Sequence, residues 1–319
     1  MATPIPELIG SPLPAISVIL PVLNEESHLE GAVLSVLSQD YRGPLEIILA
    51  LGPSRDRTNE IATKLASQDN RVKLLDSPTG KTASGLNLAL AASKSPVVVR
   101  VDGHAQIPNN YISLIVEILN KTGAVNVGGV MAAVGTTAFE RAVAGAMRSP
   151  LGVGASRFHT GGEAGEVDTV YLGAFRREAL VAIGGFDERF TRAQDWELNF
   201  RLRENGGVIY FDPRLHVTYR PRSSVGALAK QYFEYGRWRR VVSRRHSGTI
   251  NYRYLAPPFA LLGFSASLVL GVLLSSIFFI PALVYLLFVV LASLKISTSI
   301  GEYLLLLLVI PTMHFAWGA

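Results

Sequence analysis

The sequence has no cysteine, which excludes disulfides and thiolate-held zinc. Charge is scarce at its far end. From Leu255 to Ala319 the formal charges are Lys295 and Glu302 alone, and such a boundary marks a change of surroundings from water to lipid. No GxGxxG follows the first apolar run, which argues against a dinucleotide fold. Gly80-Lys81-Thr82 lacks the upstream glycine of a phosphate loop and reads as a turn into a helix. The six histidines show no metal-ligand spacing, and no Ser-His-Asp order stands out. Met1–Pro14 holds Pro4, Pro6, Pro12 and Pro14, no basic residue and no long apolar core, so it is not a signal peptide. The water-soluble part is therefore expected in the cytoplasm.

What charge there is, is unevenly placed. Residues 1–218 carry 20 Lys/Arg and 23 Asp/Glu, a net of −3, whereas residues 219–254 carry nine basic residues against Glu234, a net of +8. The formal excess of +5 thus comes from one short stretch beside the apolar tail. That position favours an anionic cytoplasmic leaflet over nucleic acid as the partner. A solvated basic face is the plainer alternative. Three blocks follow: a water-soluble domain over 1–218, a basic amphipathic interface segment over 219–254, and a transmembrane region over 255–319. After Pro257 and Pro258 the apolar stretch runs to Leu294, too long for one crossing of about 20 residues. Pro281 divides it into a two-helix hairpin, and Tyr303–Trp317 is a short third candidate.

The first half alternates strands and helices. Ala15–Leu20, Glu46–Leu51, Val72–Leu75 and Val97–Val101 read as buried strands, and Thr58–Ser67 and Ala83–Ser93 as helices between them. This alternation implies right-handed crossovers and a mostly parallel sheet in an α/β domain. Asn24, Glu25, Asp56 and Asp102 follow strand ends, where such sheets bind ligands. Residues 125–185 are glycine-rich and resist assignment. Within them Gly161–Glu166 reads as a mobile loop and Val167–Leu172 as a strand. Gln194–Glu204 reads as a helix and Val208–Phe211 as a strand.

Five motifs occur in order: Pro21-Val22-Leu23-Asn24-Glu25-Glu26, Val101-Asp102-Gly103-His104, Gly184-Gly185-Phe186-Asp187-Glu188, Gln194-Asp195-Trp196-Glu197 and Gly236-Arg237-Trp238-Arg239-Arg240. Together, over about residues 15–245, they resemble the inverting family 2 glycosyltransferases of GT-A-like fold. They are most similar to the bacterial exopolysaccharide enzymes of succinoglycan type. The resemblance implies a nucleotide-sugar donor, a polyprenyl-linked acceptor and residence in the bacterial inner membrane. It places Pro21, Asn24, Glu25, Asp56, Lys81 and Asp102 at the donor, and Trp196, Arg237, Trp238 and Arg239 at the acceptor or its phosphates. No nucleic acid is expected as a partner.

Asp102 suits a hard divalent cation, manganese or magnesium, that neutralises a diphosphate. The family's usual Asp-x-Asp is here Asp102-Gly103-His104, so the second metal ligand would be His104, an imidazole better matched to manganese than to magnesium. Asp195 is the candidate base that removes the acceptor hydroxyl's proton. Asp195 and Glu197 are two residues apart, about 200° around a helix, and face different ways. Glu197 has Arg201 four residues on, the favourable orientation for a surface ion pair, which leaves Asp195 for chemistry. After the second strand, where the family commonly has an acidic cluster, this chain has Ala50-Leu51-Gly52-Pro53-Ser54-Arg55-Asp56-Arg57-Thr58. Only Asp56 and Thr58 match, and uridine is the expected base. The rival readings are a nucleotidyltransferase and a non-catalytic membrane scaffold with a degenerate donor site.

Overall fold

The computed structural model describes residues 13–250 and 252–319. The expectation for Met1–Pro14 falls almost wholly outside them. The chain divides into two compact units. One comprises the residues up to Ala132 together with Gly161–Tyr219, and the other Ala133–Thr160 with Arg220–Ala319. The sequence assigns 1–218 to one block, whereas the structure groups Ala133–Thr160 with the C-terminal part.

The first unit is an α/β domain. Its first half runs β1 (Ile16–Val22), α1 (Leu29–Leu37), β2 (Leu45–Leu51), α2 (Thr58–Gln68), β3 (Val72–Asp76), α3 (Thr82–Ala92), β4 (Val97–Arg100), α4 (Tyr111–Thr122) and β5 (Asn126–Ala133). After the excursion into the second unit, through α5 (Ala138–Met147), α6 (Pro150–Val153) and α7 (Arg157–Thr160), it resumes. There follow β6 (Gly165–Glu166), β7 (Tyr171–Arg176), α8 (Arg177–Ala182), α9 (Gln194–Glu204) and β8 (Ile209–Tyr219). The sheet order is β3-β2-β1-β4-β7-β5-β8-β6. β1, β2, β3 and β4 are parallel, while β7 pairs antiparallel with both β4 and β5. Central parallel strands are covered on both faces, so they read as unbroken apolar runs. Ile16, Val18, Ile19 and Leu20 of β1 are accordingly buried, as are Val97, Val98 and Val99 of β4. Each such side chain contributes about 1.5–3 kcal/mol.

The four early strands lie within two residues of their sequence positions. The glycine-rich stretch differs more. Its strand is Tyr171–Arg176 rather than Val167–Leu172, β6 takes up Gly165 and Glu166, and β8 runs on to Tyr219 rather than stopping at Phe211. These strands pair antiparallel with partners distant in sequence, so no βαβ rhythm announces them.

The second unit is helical. Besides α5, α6 and α7 it contains α10 (Val225–Arg245), α11 (Tyr252–Leu273), a 3-10 turn at Ser276–Phe279, α12 (Ile280–Ile296) and α13 (Ile300–Gly318). Among the described residues three helices are long and apolar enough to cross a membrane: Tyr254–Leu273, Ser276–Ile296 and Ile300–Gly318. Pro281 lies in the first turn of α12, where its missing N–H costs nothing, so the hairpin bends just before it.

Candidate active site

The carboxyl ends of β1, β2, β3 and β4 lie along one edge of the sheet, the usual ligand edge of such folds. The loop after β1 carries Asn24 and Glu25, and Pro21 is the last residue but one of the strand itself. The loop after β2 carries Asp56, Lys81 precedes α3, and Asp102 and His104 follow β4. The expected donor residues therefore share this edge.

The first two loops are clasped together. The backbone N–H groups of Asn24, Glu25 and Glu26 donate to Ser54 Oγ (3.1 Å), Thr58 Oγ1 (2.7 Å) and Asp56 Oδ2 (3.2 Å). In return Arg55 N–H donates to Asn24 Oδ1 (2.8 Å) and Arg57 N–H to Glu26 Oε2 (2.9 Å). Asn24 sits at φ 56°, a left-handed conformation that Asn tolerates better than most residues. Asp56 also accepts from the Thr58 hydroxyl and amide. The Thr58 hydroxyl bond, with the backbone donors, holds its carboxyl below the usual range. Asn24 and Asp56 thus spend hydrogen bonds on fixing the loops. At Gly80, φ is 61° and an added Cβ would lie 3.0 Å from Pro53, which places the turn before Lys81 against the β2 loop.

Arg100 is the residue the sequence reading misses. It ends β4 and is 5% exposed. Its Nε donates to Asp102 Oδ1 at 3.0 Å, and its Nη1 donates to Asp195 Oδ1. One buried guanidinium therefore joins the two candidate active-site carboxylates. Burial alone would lower the Arg100 pKa, but Asp102 and Asp195 more than offset this and hold it above its ordinary value. Burial pushes Asp195 up to about 6; Arg100 pulls against this and Asp102 adds to it. A signal existed: Arg100 is the one charge within the apolar run Val97–Val101. A charge in a buried strand needs a partner.

His104 Nδ1 is 2.8 Å from Glu25 Oε1, and a Cβ at Gly103 would meet Glu25 Cγ at 3.1 Å. A carboxylate on one imidazole nitrogen fixes ring orientation in the manner of metal-ligating histidines, so Nε2 is the nitrogen through which His104 would ligate. Among the described residues no three His, Asp or Glu side chains form a ready-made metal cage. A cation bound to a diphosphate asks less: one or two protein ligands, with phosphate oxygens and water completing the shell. Asp102 with His104 fits that smaller demand.

Asp195 lies in the first turn of α9, where the helix N-terminus favours a carboxylate. The preceding Ala193 is held at φ 59°, a strained conformation for alanine. Glu197 is 1% exposed and accepts two bonds from Arg201, at 2.8 and 2.7 Å. Arg201 also donates to the carbonyls of Ile183 and Gly185. The Glu197–Arg201 pair expected from the spacing is present, but it is buried rather than at the surface, and Glu197 is spent on the fold. Asn87, a second residue missed, accepts from Phe186 N–H and donates to Phe186 O, both at 2.8 Å. Together Arg201 and Asn87 pin the Gly184-Gly185-Phe186 turn beneath α9. Trp196 stacks on Phe200, with ring centroids 5.9 Å apart.

Arg237, Trp238 and Arg239 lie on α10, in the second unit. Trp238 Nε1 donates to Glu234 Oε2 at 3.0 Å. Arg239 is buried, its guanidinium 3.6 Å above the Tyr254 ring. Arg237 is exposed, with Glu234 Oε1 3.6 Å away. Of the two arginines, Arg237 is the one presented to solvent.

Comparison with known proteins identifies the family and the fold. The chain is 34% identical over 242 residues to the succinoglycan biosynthesis protein ExoA of Rhizobium meliloti (strain 1021), covering 75% of this chain and 73% of that protein. It is 25% identical over 281 residues to a dolichyl N-acetyl-alpha-D-glucosaminyl phosphate 3-beta-D-2,3-diacetamido-2,3-dideoxy-beta-D-glucuronosyltransferase of Methanococcus voltae, covering 84% and 85%. The fold matches the mannosyltransferase PcManGT from Pyrobaculum calidifontis, solved with GDP-Man and Mn2+, at a TM-score of 0.66 and 20% identity over 95% of this chain and 85% of that one. Residues 17–184 match the profile of glycosyl transferase family 2. That stretch contains the clasped loops, Arg100, Asp102 and the start of the Gly-Gly-Phe turn, and the chain belongs to glycosyl transferase family 2.

Proposed function

We propose that this glycosyltransferase transfers a sugar, with inversion, from a nucleotide-sugar, a UDP-sugar in the first instance, to a lipid-linked saccharide in exopolysaccharide or cell-envelope glycan synthesis. The observation that carries the reading is the pair of carboxylates, Asp102 and Asp195, joined by Arg100 at the ligand edge. Asp195 accepts the acceptor hydroxyl's proton as that oxygen attacks the anomeric carbon, and the nucleoside diphosphate leaves from the opposite face. A general base is worth about 10²–10⁴ in rate. Asp102 and His104 would hold the divalent cation, and when bound it supplies charge neutralisation for the leaving diphosphate. Pro21, Asn24, Glu25, Asp56 and Lys81 line the donor edge, with Asn24 and Asp56 acting chiefly by holding its loops.

One relative is named for action on a dolichyl-linked sugar phosphate, which supports the acceptor class, and another for succinoglycan biosynthesis, which supports the polysaccharide setting. Arg237 on α10 is then the phosphate contact, and Trp238 beside it offers a ring face to the acceptor sugar. The apolar C-terminal helices and the basic stretch hold the enzyme in the bacterial inner membrane, with the catalytic domain cytoplasmic. Family membership displaces the nucleotidyltransferase reading. The scaffold reading is opposed by the intact Asp102 and Asp195.

The test uses the full chain in nanodiscs with a panel of UDP- and GDP-sugars, with and without a polyprenyl-linked saccharide, in manganese, magnesium or EDTA. Nucleoside diphosphate release that requires one donor, the acceptor and the metal supports the reading. Silence across the panel favours the scaffold, and undiminished release in EDTA removes the metal.

A further inference from the structure

Length and composition allow α11, α12 and α13 each to cross a membrane. The contacts of α13 point elsewhere. α11 and α12 form an antiparallel hairpin. Ser267 Oγ donates to Phe278 O at 2.5 Å and accepts from Ala282 N–H at 3.0 Å, and Gly271 packs on Phe279. The start of α11 and the end of α12 therefore lie at the open end of the hairpin, opposite the turn around Ser275. α13 begins at that open end, since three residues link it to Ile296.

The far end of α13 is there too. A Cβ added at Gly318 would lie 2.6 Å from the carbonyl oxygen of Pro257, and the Trp317 ring stacks on Tyr254 at 6.3 Å. Both ends of α13 thus lie in the half of the hairpin nearer its open end, and neither reaches the turn around Ser275. A crossing helix of 19 residues would separate its ends by about 28 Å, the thickness of the hydrocarbon layer.

Charge gives an independent reason. The segment α5–α6 runs beside α13 from first turn to last. Arg141 Nε donates to Glu302 Oε1 at 3.2 Å near the start, and the His314 ring lies against the backbone of Leu151 and Gly152 near the end. That companion segment carries Glu140 and the exposed Arg141 and Arg148. Were α13 to cross, Arg148, which lies between these two contacts, would fall inside the hydrocarbon layer, at a cost of about 2.5–3.5 kcal/mol or more. The last turn of α13 also abuts α10: a Cβ at Gly236 would fall 2.0 Å from Trp317 O. Next to Gly236 on α10 lie the exposed Arg237 and Arg240. A helix flanked along its length by charged segments does not traverse hydrocarbon alone.

α13 is nonetheless apolar outward. Leu306, Val309, Ile310 and Met313 are buried against protein, while Ile300 and Leu304 are 82% and 61% exposed. Phe315 reaches between Phe264 and Tyr285 of the hairpin, with ring centroids 5.2 and 5.0 Å away.

We propose that α11 and α12 alone cross the bilayer. On this proposal α13 lies along one leaflet, on the face that carries α10, with Ile300, Leu304 and Leu308 against the acyl chains. α10 and α5–α6 provide the polar side of this layer and α13 the apolar side. The chain would thereby float its basic helix at headgroup depth.

Because the sequence lacks cysteine, single introduced cysteines report without background. Ser247→Cys, Ser275→Cys, Ser297→Cys and Ala319→Cys, each in the full chain, are treated with a membrane-impermeant maleimide in sealed inverted and right-side-out vesicles. The expected result is that 247, 297 and 319 label from one face and 275 from the other. Labelling of 319 together with 275, or of 319 from neither face until detergent is added, overturns the proposal. A second measurement does not depend on sidedness. Spin labels at Leu304→Cys and Leu308→Cys should report the same bilayer depth. A difference near 6 Å, four residues' rise along the membrane normal, contradicts the flat placement.

Discussion

Arg100 occupies a place where a central strand should be apolar, and the cost of burying it is offset chiefly by Asp102 and Asp195. It touches neither donor nor acceptor in this account; it positions the two carboxylates that do. Arg100→Gln should lower kcat far more than it changes donor KM, and Arg100→Lys should restore part of the loss with the charge. Equal losses in Arg100→Gln and Arg100→Lys, tracking loss of folded protein, would reduce Arg100 to a packing role. The pH dependence follows with its sign. Burial disfavours the Asp195 carboxylate and raises it to about 6, and a base works only when ionised. Transfer should therefore fall as pH drops through about 6. Arg100→Gln removes a cation that lowers that pKa, so the acid limb should move to higher pH. A limb near pH 4 in the wild type would contradict the assignment.

At the scale of elements, the turn beneath α9 rests on two glycines in left-handed conformation, Gly184 at φ 78° and Gly185 at φ 70°. Their surroundings differ. Gly184 has open space where a Cβ would go, whereas one at Gly185 would lie 2.6 Å from Asn87 Oδ1. Gly184→Ala should cost about 1–2 kcal/mol, the left-handed strain alone. Gly185→Ala should cost more, since it also displaces the Asn87 bonds to Phe186, each worth about 1 kcal/mol. Thermal unfolding of the two variants checks the order, and equal losses would mean that Asn87 does not hold the turn. The sequence made this motif visible as Gly-Gly-Phe but not the residue bracing it. Asn87 lies 99 positions from Phe186, and nothing in its own helix marks it. The parallel strands were legible because buried parallel strands are apolar throughout. β5, β7 and β8 were not, because their pairing joins distant segments and glycine interrupts their pattern. Arg100 was legible in principle, as a charge in an apolar run, but its partner Asp195 lies 95 residues away.

The whole molecule combines an acidic body with a basic stretch of net +8 over residues 219–254, in which the arginines divide their work. Arg239→Gln should destabilise the helical unit, because it loses a stacked and desolvated contact with Tyr254 worth about 2 kcal/mol. Arg237→Gln should leave stability alone and weaken transfer to a lipid-linked acceptor, with donor hydrolysis kept. If Arg237→Gln instead leaves transfer intact and alters only salt-sensitive membrane association, Arg237 is an anchor rather than an acceptor contact. Asp195, tied to Asp102 through Arg100, is proposed as the group that activates the acceptor, and the whole mechanism depends on that role. It is tested most directly by comparing Asp195→Asn and Glu197→Gln in nanodiscs, with turnover and nucleotide-sugar affinity measured on each. Asp195→Asn should lose about 10²–10⁴ in kcat with donor affinity little changed, while Glu197→Gln should lose stability first and turnover only in proportion. Turnover that survives in Asp195→Asn would contradict it.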